Sequence, residues 1–494
     1  MEKNGDTKSK VVSGLVWRFA ERIGAQGVSL IVSIVLARLL EPNVYGTIAL
    51  VTVFTTLLNV FIDSGLGSAL IQKKEADDLD FSSVFYFNVV ICLVLYLIMF
   101  LASPAIAQFY NNLSLVPIIR VLCLTVVVSG IKNIQQAYVA RTMQFKRFFF
   151  ATLGGTIGAA IIGIYMAYKG YGVWALVAQQ LFNITMDTII LWITVKWRPK
   201  KMFSFDRLKG LLSYGWKLLA SALIDTGYKE LRQLIIGKMY TSEDLAFYNR
   251  GRQFPSLIMD NVNTSINSVL FPTMSQVQDN KGRVKDITRI AIKNGMYIMA
   301  PLMIGMAVCA EPIVRLVLTD KWLDCVPYMR IFCITFMLYP IHTANLNAIK
   351  AMGRSDIFLK LENIKKAIGL LLLFSTMWFG VMAMAYSLLV SAFLGLVINS
   401  WPNRKLQNYT LKEQVKDVLP NISLATVMGL CVYLLTFLGL SDFLTLLIQV
   451  LLGIIIYIAG SKILKIQSYD YLMEMIKHNF HKKKELAIDQ DQTE

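Results

Sequence analysis

Charged and polar side chains recur at helical spacing inside some of the most apolar stretches of this chain. In the first such stretch they lie three or four residues apart, so they share one face of a helix. Charged groups inside a membrane cost roughly 3 kcal/mol each on insertion scales, and they persist where they meet a partner or a water-filled cavity. This first polar face consists of Arg18, Arg22, Gln26, Ser29 and Ser33.

A matching face occurs about 200 residues later and consists of Lys217, Ser221, Asp225, Tyr228 and Arg232. Two explanations compete. The charges could only tie helices together, as Arg18 with Glu21 or Arg22, and Lys229 with Asp225, would do. Because the two faces coincide when the chain is aligned on itself, we favour a lined cavity.

Two further apolar segments carry polar faces of the same kind. The second segment aligns Thr52, Thr56, Asn59 and Asp63. The eighth aligns Asn249, Gln253, Ser256, Asp260, Asn263 and Asn267, with Arg250 and Arg252 beside them.

Cations outnumber carboxylates on these faces, which predicts an anionic substrate. Arginine favours phosphate because its planar fork donates two parallel hydrogen bonds. Amides such as Asn59 and Asn263 could hydrogen-bond a sugar, although amides also join membrane helices to one another. The expected substrate-binding residues are Arg18, Arg22, Lys217, Lys229, Arg232, Arg250, Arg252, Asn59 and Asn263.

Asp63 and Asp225 are the carboxylates best placed to couple transport to a cation, H⁺ or Na⁺. The alternative, a carboxylate neutralised by a neighbouring lysine or arginine, is at least as good for each of them.

The elements that must position these side chains are membrane helices. The 494 residues are 55% hydrophobic and only 16% charged, with a mean hydropathy of +0.54. Such a composition predicts an all-α integral membrane protein. Fourteen spans are expected, near 11–37, 44–71, 82–102, 114–138, 148–168, 172–195, 210–237, 245–272, 289–310, 327–349, 358–379, 381–400, 418–438 and 442–464.

The chain also contains an internal repeat. The segment Val116–Cys123 recurs as Val326–Cys333, and three other short matches follow the same order: Trp17-Arg18 with Trp216-Lys217, Pro104 with Pro312, and Gly172-Val173 with Gly380-Val381. Each copy holds about six spans, an even number, so the two copies have the same orientation in the membrane. Two parallel six-helix lobes around a shared path are typical of transporters.

The repeat defines the expected domains. They are an N-terminal lobe (1–195), a cytoplasmic linker (196–208), a C-terminal lobe (209–400), an extra helix pair (401–465) and a cytoplasmic tail (466–494).

The net charge of +17 reflects membrane topology rather than nucleic-acid binding. With the N-terminus inside, the outer connections hold only the basic residues Arg38, Lys169, Lys238, Arg315 and Lys321. The remaining connections are strongly basic, which is the positive-inside pattern for a protein with both termini in the cytoplasm.

No catalytic or metal-binding motif is present. The six cysteines form no Cys-x-x-Cys pair, and neither a nucleotide-binding loop nor a hydrolase motif occurs. We therefore expect no enzyme activity, metal or cofactor. Integral-membrane polymerases and glycosyltransferases remain a weaker alternative, because they should have a large outer loop and no parallel repeat.

Short motifs along the chain resemble bacterial polysaccharide flippases of the Wzx type, in the superfamily that also holds MATE drug exporters and the lipid II flippase. Within that group, the colanic-acid and teichuronic-acid exporters are the most similar branch. The motifs are Gly14–Trp17, Ala37–Pro42 with Tyr45-Gly46, Asp63–Leu66, Ala69–Lys73, Arg141 with Gln144-Phe145, and Tyr171–Leu176.

The resemblance implies a V-shaped fold of fourteen helices in the bacterial inner membrane. It also implies export, by alternating access, of a polyprenyl-diphosphate-linked oligosaccharide for lipopolysaccharide, capsule or exopolysaccharide. Membrane lipids and polysaccharide polymerase machinery are the partners it suggests. A MATE-like cation-coupled drug exporter is the main alternative, although its cationic substrates would suit an acidic cavity better.

Overall fold

The computed structural model describes residues 17, 21, 24–63, 66–73 and 75–474, apart from the side chains of Asp63, Ser68 and Tyr214. The described residues form helices and connecting turns, with no strand among them. The prediction of an all-α membrane protein is confirmed.

The chain divides into two compact units, unit 1 (Met1–Ala246) and unit 2 (Phe247–Glu494). The division falls one long helix later than the linker expected at 196–208. The predicted domain boundaries follow the sequence repeat, whereas the units follow packing.

Unit 1 holds nine helices within its described residues. They are α1 (Gly24–Leu39), α2 (Pro42–Asp63), α3 (Leu66–Gln72), α4 (Asp78–Phe109), α5 (Leu115–Leu122), α6 (Leu124–Arg141), α7 (Lys146–Tyr168), α8 (Val173–Thr194) and α9 (Phe205–Met239). The helix α10 (Ser242–Ser275) begins in unit 1 and continues in unit 2.

Unit 2 continues with α11 (Lys281–Val308), α12 (Ala310–Leu318), α13 (Val326–Met337), α14 (Tyr339–Ala351), α15 (Ser355–Thr376), α16 (Val381–Ser400), α17 (Asn403–Leu406), α18 (Leu411–Leu434) and α19 (Asp442–Ile463). Short 3₁₀ turns lie at Asp320–Cys325 and Leu435–Leu438.

Ten helical segments of the described chain are long and apolar enough to cross a membrane. The long helices α9, α10 and α15 do not meet that composition criterion, and they are rich in charged and polar residues. Of α1, only the apolar part Gly24–Leu39 is described. The count of fourteen spans therefore stays a prediction. The long helices that are not apolar enough to count as spans are α9, α10 and α15.

Two expected spans are each built from two helices. The span near 114–138 consists of α5 and α6, and the span near 327–349 consists of α13 and α14. Pro340 explains the second interruption, because proline has no N–H to donate to the carbonyl of Phe336 near the end of α13. The repeated motif Val116–Cys123 and Val326–Cys333 occupies α5 and α13, so it has the same place in both units.

Ion pairs join the connection between α8 and α9, and the start of α9, to the start of α4. The buried carboxylate of Asp80 lies 2.6 Å from the ammonium of Lys73 and 3.6 Å from the guanidinium of Arg207. Lys200 pairs with Asp78 at 2.5 Å. The N–H of Asp80 donates to Asp77, which caps α4, and holds the pKa of the Asp77 carboxyl below its usual value. These contacts place α9 with unit 1.

The last two helices pack against the rest of unit 2 through α11. Asp417 of α18 is buried and lies 2.6 Å from Arg289 of α11, while the Tyr409 hydroxyl donates to its other oxygen at 2.8 Å. Further along, Tyr297 of α11 donates to Ser461 of α19 at 3.0 Å. The extra pair is thus joined to the repeat by hydrogen bonds as well as by apolar contact.

Candidate functional site

The polar face of α9 is exposed near the start of the helix and buried near its end, within unit 1. Lys217 is exposed, whereas Arg232 is only 8% exposed. Between them, the ammonium of Lys229 lies 2.7 Å from the carboxylate of Asp225, one helical turn away. A positively charged side chain is therefore buried at one end of the face, and an ion pair lies in the middle.

Three of the predicted site residues lie outside the described part of the chain. Arg18 and Arg22 are not described, and of Asp63 only the backbone is described, as the last residue of α2. Their roles as phosphate ligands or as a coupling group stay predictions.

The described part of the first polar face lines a small cavity of unit 1. Ser29 and Ser33 of α1 share with Gln179, Gln180 and Asn183 of α8 a cavity of about 210 Å³. Hydroxyls and amides both donate and accept hydrogen bonds. The polar part of this cavity can therefore hydrogen-bond water or another molecule that carries hydroxyl groups.

Arg250 and Arg252 of α10 have different environments although they are only two residues apart. Arg250 is buried, donates to Gln253 at 2.5 Å, and lies 4.9 Å from the ring centroid of Trp322. Arg252 is exposed. Neighbouring positions on a helix point in different directions, so Arg252 is exposed while Arg250 packs inside unit 2.

The amides also differ in what they contact. Asn263 of α10 accepts a hydrogen bond from Thr343 of α14, and Asn347 of α14 donates to Asn267 one turn further along, at 2.6 Å. These two contacts join α10 to α14, which is the helix-joining role that buried amides often have. The side-chain oxygen of Asn59 is buried with no hydrogen-bond partner in the described structure.

The structure adds a buried ion pair that the search for polar faces did not find. Lys132 of α6 lies 2.9 Å from Asp187 of α8, and the two side chains are only 14% and 12% exposed. On α8, Asp187 lies four residues after Asn183 and eight after Gln179, a helical polar spacing that the search for polar faces overlooked. A charge inside an apolar span was a second available indication.

Unit 2 has a corresponding polar contact between the fourth and sixth spans of the second sequence repeat. His342 of α14 and Asn399 of α16 approach to 3.1 Å through the ring Nδ1 and the amide nitrogen. Nearby, Lys365 of α15 lies 2.6 Å from Glu362, and a Cβ on Gly395 would meet both His342 and Lys365 within 4 Å. The sequence repeat therefore places a polar link at the same helix pair in both units, charged in unit 1 and an amide–imidazole pair in unit 2.

Within unit 1, α9 offers ammonium and guanidinium donors, and α1 and α8 offer hydroxyls and amides. Within unit 2, α10 offers the exposed guanidinium of Arg252. No cluster of metal-ligating side chains occurs among the residues that the structure describes. The chemistry available is that of recognition through hydrogen bonds and charge.

Comparison with known proteins gives a family and several relatives. The family model described as "Polysaccharide biosynthesis protein" matches residues 35–327. Teichuronic acid biosynthesis protein TuaB of Bacillus subtilis is 21% identical, over 77% of this chain and 79% of its own length. Succinoglycan biosynthesis transport protein ExoT of Rhizobium meliloti is 22% identical over 70% of both chains. Lipopolysaccharide biosynthesis protein WzxC of Escherichia coli is 23% identical, over 72% of this chain and 73% of its own.

Two solved structures share the fold. Lipid II flippase MurJ, in an inward closed conformation, has a TM-score of 0.76 at 16% identity and covers 93% of this chain and 100% of its own. A multidrug resistance MATE family transporter of the MOP superfamily, in an inward-facing conformation, has a TM-score of 0.60 at 15% identity over 80% of this chain and 99% of its own. At such identities the likeness concerns the fold alone.

Proposed function

The chain belongs to the polysaccharide biosynthesis protein family, and we propose on that basis that it is a flippase for a lipid-linked oligosaccharide. The substrate would be a polyprenyl-diphosphate-linked sugar, moved from the cytoplasmic to the outer leaflet of the bacterial inner membrane by alternating access.

The class of protein is established. The chain is a multi-pass membrane protein with the fold of MOP-superfamily transporters, and its relatives are transporters rather than enzymes. The resemblance to polysaccharide flippases noted in the sequence is confirmed by the family match and by the named relatives.

The observation that carries the proposal is the agreement between family and fold. Relatives named for teichuronic acid, succinoglycan and lipopolysaccharide biosynthesis all belong to pathways of cell-surface polysaccharides. The solved structure that covers nearly the whole chain is named a lipid II flippase. Together these names support a substrate that contains both a lipid and a sugar.

The polar faces support a diphosphate as the recognised group. The helices α9 and α10 are less apolar than the ten helical segments that could cross a membrane. On α9, Lys217 is exposed and Arg232 is buried, and on α10 Arg252 is exposed. Guanidinium groups bind phosphate through paired hydrogen bonds. Cationic side chains of this kind would lower the barrier to moving a charged headgroup while the lipid tail stays in the bilayer.

The direction of transport would follow from the membrane potential or a coupled ion. A potential that is negative inside favours outward movement of an anion by about 2.3 kcal/mol per charge per 100 mV. We propose Asp63 and Asp225 as candidates for coupling to H⁺ or Na⁺. For Asp225 the pairing with Lys229 also supports the alternative of a carboxylate already neutralised.

The orientation proposed for the chain places both termini in the cytoplasm, with polysaccharide polymerase machinery acting on the product outside. The basic connections support this orientation.

The decisive experiment compares lipid-linked oligosaccharides, by mass spectrometry, in cells with and without this protein. We expect one polyprenyl-diphosphate oligosaccharide to accumulate and the surface polysaccharide to disappear when the protein is absent. Unchanged lipid intermediates together with altered drug sensitivity would instead indicate a MATE-like exporter and would refute the flippase proposal.

Point variants test the role of these cationic side chains in the same cells. Arg252→Ala should reduce export because it removes an exposed positive charge from α10, whereas Arg354→Ala should not, because Arg354 pairs with Asp356 at 2.9 Å just before the polar part of α15. Normal export by Arg252→Ala and Arg232→Ala together would exclude a role for these charges.

A further inference from the structure

Unit 1 carries an apolar groove that none of the proposed transport steps uses. It is lined by α2, α4 and α9 and has a volume of about 530 Å³, within the range of small-molecule pockets. Its wall consists of Phe54, Ala102, Ala105, Ile106, Phe109, Leu231, Leu234, Ile235, Lys238 and Met239. Lys238 is the only charged residue among them.

The groove lies at one end of two helices. Its residues on α4 and α9 belong to the last turns before Phe109 and Met239, where both helices stop. With the orientation proposed above, this is the outer surface of the membrane. The groove therefore lies at the depth of lipid chains, with its charged end at the depth of lipid headgroups.

The position of Lys238 is fixed by the ends of both helices. Its ammonium donates to the main-chain carbonyl of Phe109 and lies 4.6 Å from the centroid of the Phe109 ring. Carbonyls in the last turn of a helix have no partner within the helix, and both helix ends carry partial negative charge, which favours a cation. One ammonium has three donors, so the contact with Phe109 leaves hydrogen-bonding capacity for a second acceptor.

The helices that line the groove pack closely beside it. A Cβ on Gly237 would lie 2.1 Å from the side chain of Leu50, so α9 approaches α2 very closely here. On α4, Pro104 cannot donate to the carbonyl of Phe100, and the hydroxyl of Ser103 donates to it instead at 2.8 Å. The groove is thus a formed feature of unit 1 rather than a gap between loosely packed helices.

We propose that this groove holds an acyl chain of an anionic phospholipid, with Lys238 contacting its phosphate. An apolar channel with one cation at its mouth is complementary to a lipid chain that ends in an anionic headgroup. The proposal does not depend on which substrate the protein transports.

The test is photocrosslinking of the full-length protein in bilayers that contain phosphatidylglycerol with a photoreactive group in its acyl chain. Peptide mass spectrometry should find the label on 102–109 and 231–239. Lys238→Ala should reduce labelling of these peptides about fivefold, the effect expected of one lysine at a lipid headgroup. Lys238→Arg should retain it.

Two further variants separate the groove from general lipid contact. Lys169→Ala removes another exposed lysine, near Tyr165 at the end of α7, and should leave the labelling unchanged. Ala105→Trp should fill the groove and abolish the labelling while Lys238 is intact.

Three results would overturn the proposal. The first is equal labelling of the two peptides in Lys238→Ala and the unaltered protein, and the second is equal labelling by phosphatidylglycerol and phosphatidylcholine probes. The third is displacement of the label by polyprenyl phosphate at equal concentration, which would assign the groove to the lipid carrier instead. Thermal unfolding of each variant in detergent confirms that the protein tested is folded.

Discussion

Breaking the buried ion pair of unit 1 should destabilise the protein far more than breaking the exposed one. Lys132 and Asp187 join α6 to α8 at 2.9 Å with side chains 14% and 12% exposed. Lys229 and Asp225 form the same chemical pair at 2.7 Å within α9, but their side chains are 63% and 43% exposed. The two pairs differ mainly in burial and in the helices that they connect.

The expected magnitudes follow from that difference in burial. Asp187→Asn or Lys132→Met leaves one buried charge without its partner, which costs about 3–5 kcal/mol. The double variant removes both charges and should recover most of that loss, because a buried pair replaced by apolar groups is often close to neutral. Asp225→Asn should cost only about 0.3–0.5 kcal/mol, as for exposed pairs one helical turn apart.

The assay is unfolding in mixed micelles by titration with SDS, followed by tryptophan fluorescence, with all four combinations of the Lys132 and Asp187 substitutions. Comparable small losses for the buried and exposed pairs would refute the reasoning from burial. A double variant as unstable as the worse single one would show that the charges do not act as a pair. Export assays on Asp225→Asn add a functional readout, since a coupling role predicts lost transport in a stable protein.

Three other substitutions have outcomes fixed by local geometry. Gly46→Ala would place a methyl group 1.6 Å from the main-chain oxygen of Ser242 at the start of α10. We therefore expect little folded protein on size-exclusion chromatography. The control Gly27→Ala meets nothing within 4 Å and should fold normally. Arg250→Ala should lower the melting temperature because it removes a buried hydrogen bond and a contact with an aromatic ring, while Arg252→Ala should leave it unchanged and reduce export instead. Asp417→Asn should weaken the attachment of α18 to α11 by about 1–3 kcal/mol, measurable as earlier proteolysis of the C-terminal helices.

The class of protein could be predicted from the sequence because hydropathy is a local property. A run of apolar residues long enough to cross a bilayer must form a helix, since the lipid offers no other partner for the main chain. The ends of several predicted spans, such as 381–400 and 442–464, agree with α16 and α19 within a residue.

The family could also be recognised from short motifs. Among the described residues, several of these motifs lie at helix ends or in turns, as Ala37–Pro42 and Tyr171–Leu176 do. In the Tyr45-Gly46 motif the residue type is set by space, because no other residue fits at Gly46 where α2 approaches the start of α10.

The partner of each polar side chain could not be predicted in the same way. Helical spacing shows that Asn263 and Asn267 share a face, but only the packing of α14 against α10 shows that Thr343 and Asn347 meet them. The pairing of Lys132 with Asp187 connects residues 55 positions apart. Helical spacing places Asp187 on one face with Asn183, but it does not show which side chain of α6 lies opposite.

The sequence by itself therefore determined the membrane class, the internal repeat and the family, because each depends on the order and spacing of residues within single segments. Tertiary structure decided what lies opposite each polar face. In the folded chain Arg250 is buried while Arg252 is exposed. The start of α9 forms an ion pair with Asp80 of unit 1, and the ends of α4 and α9 meet at Lys238. These outcomes depend on which helices pack together, and packing is set by the shapes of surfaces far apart in the chain.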